Sequence, residues 1–279
     1  MQASSPSVED QSEPLQTALQ SAKAAARRAR RSAQLRMDFI ARGGPDEAFP
    51  PLARMLRGGR GGDVRLRLML SLLWFQTDSR RAVPLNYPSQ AWARLLGLDK
   101  PETAGVRRVN DAVRWLAANK FIFVKTNPGS ASQITVLNET GDGSDYEPPG
   151  SAAQRLRDKP AGPKHLYVQI PEQMWTNGYI SMLKGAGLAF YLMLLEQYGP
   201  GRLDEDAPAV WISPKILKDR YGLSDDTRTR GMKELEAFGL VTVKRQPINP
   251  DDFDIERIRN TYTLNIDTIQ EPAKRGNLA

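Results

Sequence analysis

Two clusters of hydrogen-bond donors carry the chemistry that this chain could do. The first is Arg107, Arg108, Asn110 and Arg114, and the second is Thr227, Thr229, Arg230 and Lys233. Residues three and four apart are neighbours on one face of a helix, so each cluster makes a single outward face. An arginine can hold guanine through two parallel hydrogen bonds, and an asparagine can do the same for adenine. Lysine and threonine can reach phosphates or base edges. The chemistry on offer is recognition of a nucleic acid rather than bond cleavage. Asp111 sits inside the first cluster, where it can orient an arginine. Asp225 and Asp226 precede the second, at a helix start where the dipole favours negative charge. An exposed helix face is normally charged whatever it binds, so the surrounding elements must decide the matter.

Composition narrows the field further. The 279 residues include no cysteine and one histidine, His165. Disulfides, thiolate metal sites and cysteine nucleophiles are excluded, as is a zinc site with two histidines. The glycine cluster Gly58–Gly62 lacks the lysine and hydroxyl of a phosphate-binding loop. Asp251, Asp252 and Asp254 read as a solvated loop. The expectation is a non-enzymatic chain with no cofactor and no metal. Lys and Arg total 39 against 32 Asp and Glu, giving +7 and a pI near 9.6. That excess suits a polyanionic partner. No run reaches the roughly 18 apolar residues of a membrane span. The first residues lack the basic start and apolar stretch of a secretory signal, so the expected location is cytoplasmic.

Composition shifts divide the chain. Residues 1–14, rich in Ser, Pro, Gln and acid, read as a disordered tail. Residues 15–42 read as a basic helix, with alanines as strong helix formers and no acid between Ser21 and Arg36. Arg27, Arg28, Arg30 and Arg31 wrap around it and suit contact with phosphates. The alternative is a solvated helix docked through Leu15, Leu19, Leu35 and Phe39. Residues 43–63 and 138–164 have the Gly and Pro content of linkers. Between and after them lie two compact units, 64–137 and 165–269, with a frayed tail at 270–279.

The two units repeat one order of elements. Each opens with a helix that is apolar all round, Arg65–Gln76 and Leu188–Tyr198, which implies burial on every side. A short extended piece follows, at Val83–Asn86 and Val210–Ile212. Ser89 and Ser213 stand at helix caps, and Gly97 and Gly222 stop the helices they begin. Third helices run over Glu102–Asn119 and Asp225–Phe238. In the first, Val106, Val109, Val113 and Leu116 share the inward face. Two half-buried strands close each unit, Phe121–Lys125 with Ile134–Leu137 and Leu240–Lys244 with Thr261–Leu264. Trp74, Trp92 and Trp211 read as core, Trp115 as outward-facing, and Arg228 as paired with an acid. Lys244 and Arg245 make the base of a long ribbon whose tip carries Asp251, Asp252, Asp254 and Glu256.

Helix, strand, helix, turn, helix and ribbon is the order of a winged helix-turn-helix. The run Gly222–Arg230 followed by Lys233–Val241 resembles that superfamily closely. The opening Tyr167-Val168-Gln169-Ile170-Pro171, followed by Leu188–Glu196, is similar to the DNA-binding domain of plasmid replication initiators. The first unit resembles the superfamily more loosely, because Asp99–Ala104 is inserted before its third helix. The fold implied is α+β, mainly α, with two tandem winged-helix domains. The function implied is double-stranded DNA binding, as a replication initiator or a transcription regulator. The alternative is a protein-interaction scaffold without DNA binding, since fold does not fix function. A homodimer or another protein partner fits either reading; a membrane fits neither.

Overall fold

The computed structural model describes residues 13–57, 61–126, 129–159, 165–200, 208–247 and 258–275. The chain is α+β, mainly helical with small antiparallel sheets. Its elements run in the order α1 (Glu13–Ala26), β1 (Ser32–Arg36), α2 (Met37–Ile40), α3 (Pro51–Leu56), α4 (Gly62–Trp74), α5 (Ser89–Leu95) and α6 (Ala104–Ala118). Then come β2 (Ile122–Lys125), β3 (Gln133–Val136), α7 (Pro149–Arg155), β4 (Tyr167–Pro171), α8 (Gln173–Thr176), α9 (Tyr179–Met182) and α10 (Gly185–Tyr198). A short α11 (Pro214–Ile216) runs on into a π-helical turn, Leu217–Tyr221. The chain continues with α12 (Asp225–Ala237), β5 (Val241–Pro247), β6 (Ile258–Leu264) and a closing 3-10 turn, Asp267–Gln270.

The two apolar helices lie at the centre, as their composition requires. On α4, Leu66, Leu68, Met69, Leu70, Leu72, Leu73 and Trp74 are all buried, and on α10 so are Leu188 through Leu195. The repeated order is present in both halves. Leu85 bridges to Ile134 beside the β2–β3 ribbon, and Val210 bridges to Tyr262 beside the β5–β6 ribbon. Gly97 and Gly222 have φ of 62° and 60°, the left-handed conformation that stops a helix. The two third helices pack on the central pair, α6 against α4 and α12 against α10. Gly231 is buried on α12 facing Ala186, so the two helices approach more closely than a side chain there would allow.

Several expectations are corrected. Residues 15–42 are not one helix: α1 ends at Ala26, and Ser32–Arg36 forms β1, paired antiparallel with β4. Strand pairing buries Ala33, Leu35 and Arg36 together, which an isolated helix would have left wet. The stretches read as linkers also pack. Leu52, Ala53 and Met55 of α3 are fully buried, as are Glu139 and Tyr146. Glu139 anchors its segment to β1. Its carboxylate accepts from the Arg36 guanidinium at 2.6 Å and from the Arg36 backbone N–H at 3.2 Å. Burial pushes the Glu139 carboxyl above the usual carboxylate range, while Arg36 opposes that rise. Arg36 also donates to the Glu147 carbonyl at 2.7 Å and to His165 Nδ1 at 3.3 Å, which gives the lone histidine a structural contact. The end of the chain is docked as far as Ala273, whose N–H donates to the Asn177 carbonyl at 2.8 Å.

Side-chain expectations differ at three places. Ser213 caps α11, accepting from the Ile216 N–H at 3.1 Å, but Ser89 is the first residue of α5 rather than its cap. Trp211 is 40% exposed, with the Arg259 guanidinium 5.1 Å from its ring centroid, instead of lying in the core. Trp115 is half-buried, stacked on Phe121 at 5.9 Å and covered by Arg65 at 4.7 Å. The expectations for residues 1–12, for part of the Gly58–Gly62 cluster and for the acidic ribbon tip fall outside the described residues. Among the described residues no helix is long and apolar enough to cross a membrane.

Candidate nucleic-acid interface

The inward face of α6 is Gly105, Val109, Ala112 and Leu116, one step round from the expected set, since Val106 and Val113 are only half-buried. The opposite face carries Arg107, Arg108, Asn110, Asp111 and Arg114, all exposed. Arg107 forms no ion pair among the described residues. Arg108 reaches Asp63 at 3.7 Å, and Arg114 is paired with Asp111, three residues before it. Asn110 accepts from the Ser89 hydroxyl at 2.6 Å, which fixes its amide against the start of α5.

On α12, Ser224 is the N-cap and accepts from the Thr227 N–H at 3.2 Å. Met232 and Leu235 turn inward, leaving Arg230 and Lys233 exposed and Thr227 and Thr229 partly so. Arg230 pairs with Asp226 at 2.6 Å, one turn earlier. Arg228 pairs with Asp225 at 2.6 Å and donates to the Ile212 carbonyl at 3.1 Å, so its role is structural, as its inward position implies.

The two third helices are connected through the starts of α4 and α10. Asp63 at the start of α4, which receives Arg108, also lies against Gly185 at the start of α10. From α12, Glu234 accepts the backbone N–H groups of Lys184 at 3.0 Å and Gly187 at 3.1 Å. A carboxylate there satisfies N–H groups that the helix leaves free and complements its dipole. Beneath the meeting point Arg67 is buried, donating to the carbonyl of Leu183 at 2.8 Å and that of Leu96 at 3.4 Å. Burial pulls its guanidinium below the ordinary value; Asp63 and Glu234 oppose that pull and Arg108 adds to it. Beside the seam a groove of about 500 Å³ is lined by Lys184, Thr227, Arg230, Lys233, Glu234 and Arg275. The groove gathers cations from the start of α10, from α12 and from Arg275, and Asp63, which lies against Gly185 of the groove, links it to Arg108 of α6.

Other expected contacts lie elsewhere. Lys244 and Arg245 are exposed on β5, and the ribbon is held beside α12 where Asn260 meets Met232 at 3.9 Å. Arg27, Arg28, Arg30 and Arg31 follow α1 and sit near the opposite end of α4, where the Arg30 N–H donates to the Trp74 carbonyl at 3.1 Å. The helix runs from Gly62 to Trp74, which puts that end a rise of roughly 16 Å from Asp63. Arg30 and Arg31 are engaged there, Arg30 with the Asp78 carbonyl at 3.1 Å and Arg31 with Glu172 at 2.6 Å. The structure does not bring these four arginines to the α6–α12 face.

Lys184 and Arg275 were not singled out in the sequence. Lys184 had a readable signal, a cation directly before a helix start, where the dipole disfavours it unless acids or an anion are near. Arg275 had none, standing in a stretch that reads as a frayed end. Among the described residues no three acids or histidines come together as a metal would need. The fold and its surface thus define a mainly helical α+β protein with exposed cations on α6 and on α12. A scan against protein-family models, a search of curated proteins and a search of solved structures each returned no match.

Proposed function

We propose that the protein binds double-stranded DNA with α6 and α12, acting as two winged-helix modules in tandem in the cytoplasm. The observation that carries this reading is that two third helices, each with exposed cations, are linked through Asp63, which receives Arg108 of α6 and lies against Gly185 at the start of α10, on which α12 packs. A helix in the major groove presents its outward donors to base edges while neighbouring cations hold phosphates. Arg107, Arg108, Asn110 and Arg114 serve the first half-site. Thr227, Thr229, Arg230 and Lys233 serve the second, with Lys184, Lys244, Arg245 and Arg275 on flanking phosphates. The pairs Arg114–Asp111 and Arg230–Asp226 lie on solvent-exposed surface, where such pairs contribute about 0–1 kcal/mol. The arginines can therefore exchange a carboxylate for a phosphate at small cost.

Duplex binding measured across a salt series tests the proposal, because counterion release makes the affinity fall steeply with salt. Initiation of replication on a plasmid or mobile element is one form of this function, and transcription regulation is another. Mapping the bound sites in the source genome separates them: clustered short repeats at one origin against scattered promoters. A second reading, a protein-docking scaffold, is favoured by Phe123, 59% exposed on the first ribbon, and Ile258, 56% exposed on the second. No binding to any duplex at low salt selects that reading, with a second copy or another protein as partner.

A further inference from the structure

Away from the α6–α12 face, a cavity of about 220 Å³ opens between α1 and α5. Phe75, Tyr87 and Trp92 line it, and the three rings pack on one another at steep angles. Phe75 and Trp92 meet at 5.4 Å and 76°, Tyr87 and Trp92 at 5.7 Å and 85°, and Phe75 and Tyr87 at 5.4 Å and 54°. Phe75 and Trp92 are buried, so the half-buried Tyr87 offers a flat guest the accessible ring, backed by the other two. Ala24 and Ala25 of α1 and Ala91 of α5 add short side chains to the lining, beside Ser21 and Leu95. Trp92 is buried, and its indole N–H has no acceptor among the described residues. Buried donors of that kind are ordinarily satisfied.

Charge decides which guest fits. An aromatic box alone would suit a quaternary ammonium. Here Arg28 and Arg94 also line the cavity. Arg94 is shared with Glu102 at 3.0 Å, and Arg28 forms no ion pair among the described residues. Two guanidiniums repel a cation, and an aliphatic guest would use neither of them. A planar ring bearing an anion uses both the rings and the charges. The volume lies below the roughly 300–1,000 Å³ of drug-sized pockets, so one ring system enters and its charged group stays at the mouth.

We propose that this cavity binds a nucleotide, with the base against Tyr87, over the buried Phe75 and Trp92, and the phosphate held by Arg28 and Arg94. The nucleotide comes either free or as an unpaired residue of a single strand, where stacking on aromatic rings and cation contacts act together. The site is separate from the proposed duplex face and does not depend on it.

The probe is 2-aminopurine, whose emission is quenched on stacking, used as the deoxynucleoside monophosphate and inside a short oligothymidylate. Quenching that saturates at or below about 1 mM is expected for at least one of the two, and the one that binds identifies the source. The double variant Arg28→Glu, Arg94→Glu and the cavity-filling Ala25→Phe are each expected to weaken it at least about ten-fold, while Ala25→Phe keeps duplex affinity. Circular dichroism checks that both variants fold; if Ala25→Phe does not, the surface charge variant still decides. No saturable quenching by either probe overturns the proposal. So does quenching that the folded variants leave unchanged, or choline competing as well as the nucleotide.

Discussion

At the scale of single residues the proposed face holds two kinds of cation. Arg107 and Lys233 form no ion pair among the described residues, whereas Arg108, Arg114 and Arg230 are shared with Asp63, Asp111 and Asp226. A free cation gives its whole charge to a phosphate, and a shared one must first loosen its carboxylate. The paired variants Arg107→Ala, Arg108→Ala and Arg230→Ala, Lys233→Ala should each weaken duplex binding. Each lost phosphate contact should lower the salt slope by about 1. Fluorescence anisotropy on a labelled duplex at several salt concentrations reads both quantities; wild-type affinity in both pairs would remove these residues from the site. The opposite change is expected from Asp226→Asn. It frees Arg230 and removes a negative charge from the face, so duplex affinity should rise several-fold and the rise should shrink as salt screens it. Unchanged or weaker binding would mean that Asp226 holds Arg230 in its working position. The donors themselves were legible because helical spacing lines them up on one face. Asp111 was legible beside Arg114 for the same reason, but Asp63 was not, since it reaches Arg108 only through the packing of α4 against α6.

At the scale of elements, local pattern succeeded where an element satisfies itself and failed where it needs a distant partner. α4 and α10 follow from being apolar all round, and α12 from the spacing of its inward Met232 and Leu235 after Gly222, all written within a few residues of each other. β1 does not, because an alanine- and arginine-rich stretch has high helix propensity and only pairing with β4 makes it a strand. The Arg36–Glu139 pair belongs to the same class. Neither residue announces burial, yet both are withdrawn from solvent and bonded to each other. Removing one member of a buried pair leaves an uncompensated charge and typically costs about 3–5 kcal/mol. Glu139→Ala is therefore expected to be strongly destabilising in urea or thermal unfolding, far beyond an exposed control such as Glu102→Ala. Equal effects of the two would mean that water reaches Arg36 and that the segment after β3 is loosely held.

At the scale of the whole molecule the two units share one interior. Trp74 stacks on Trp175 at 4.7 Å, Trp175 donates to Ser71 at 2.9 Å, and Arg67 bonds carbonyls on both sides of the seam. Sequence reading gave two modules on a flexible connection, because glycine and proline in the intervening segment look the same whether it is packed or free. A shared interior predicts one cooperative unfolding transition, coincident by tryptophan fluorescence and far-ultraviolet circular dichroism. Two separated transitions would mean that each unit is stable alone. The same interior sets the response to alkali. Six tyrosines, at positions 146, 179, 191, 198, 221 and 262, have their hydroxyls shifted upward chiefly by burial, Tyr179 to about 12. An unfolded tyrosine ionises near 10. Between those values the folded chain holds protons that the unfolded chain has released, so stability falls as pH rises. The contribution is complete below about pH 10 and is lost as pH passes through the folded values. Tyrosinate absorbance should therefore lag behind that of free tyrosine and then rise together with the loss of circular dichroism, above pH 10. Tyrosinate absorbance that follows free tyrosine, half complete near pH 10 with the dichroism intact, would mean that these hydroxyls meet water in the folded chain, and that the interior joining the two units is open.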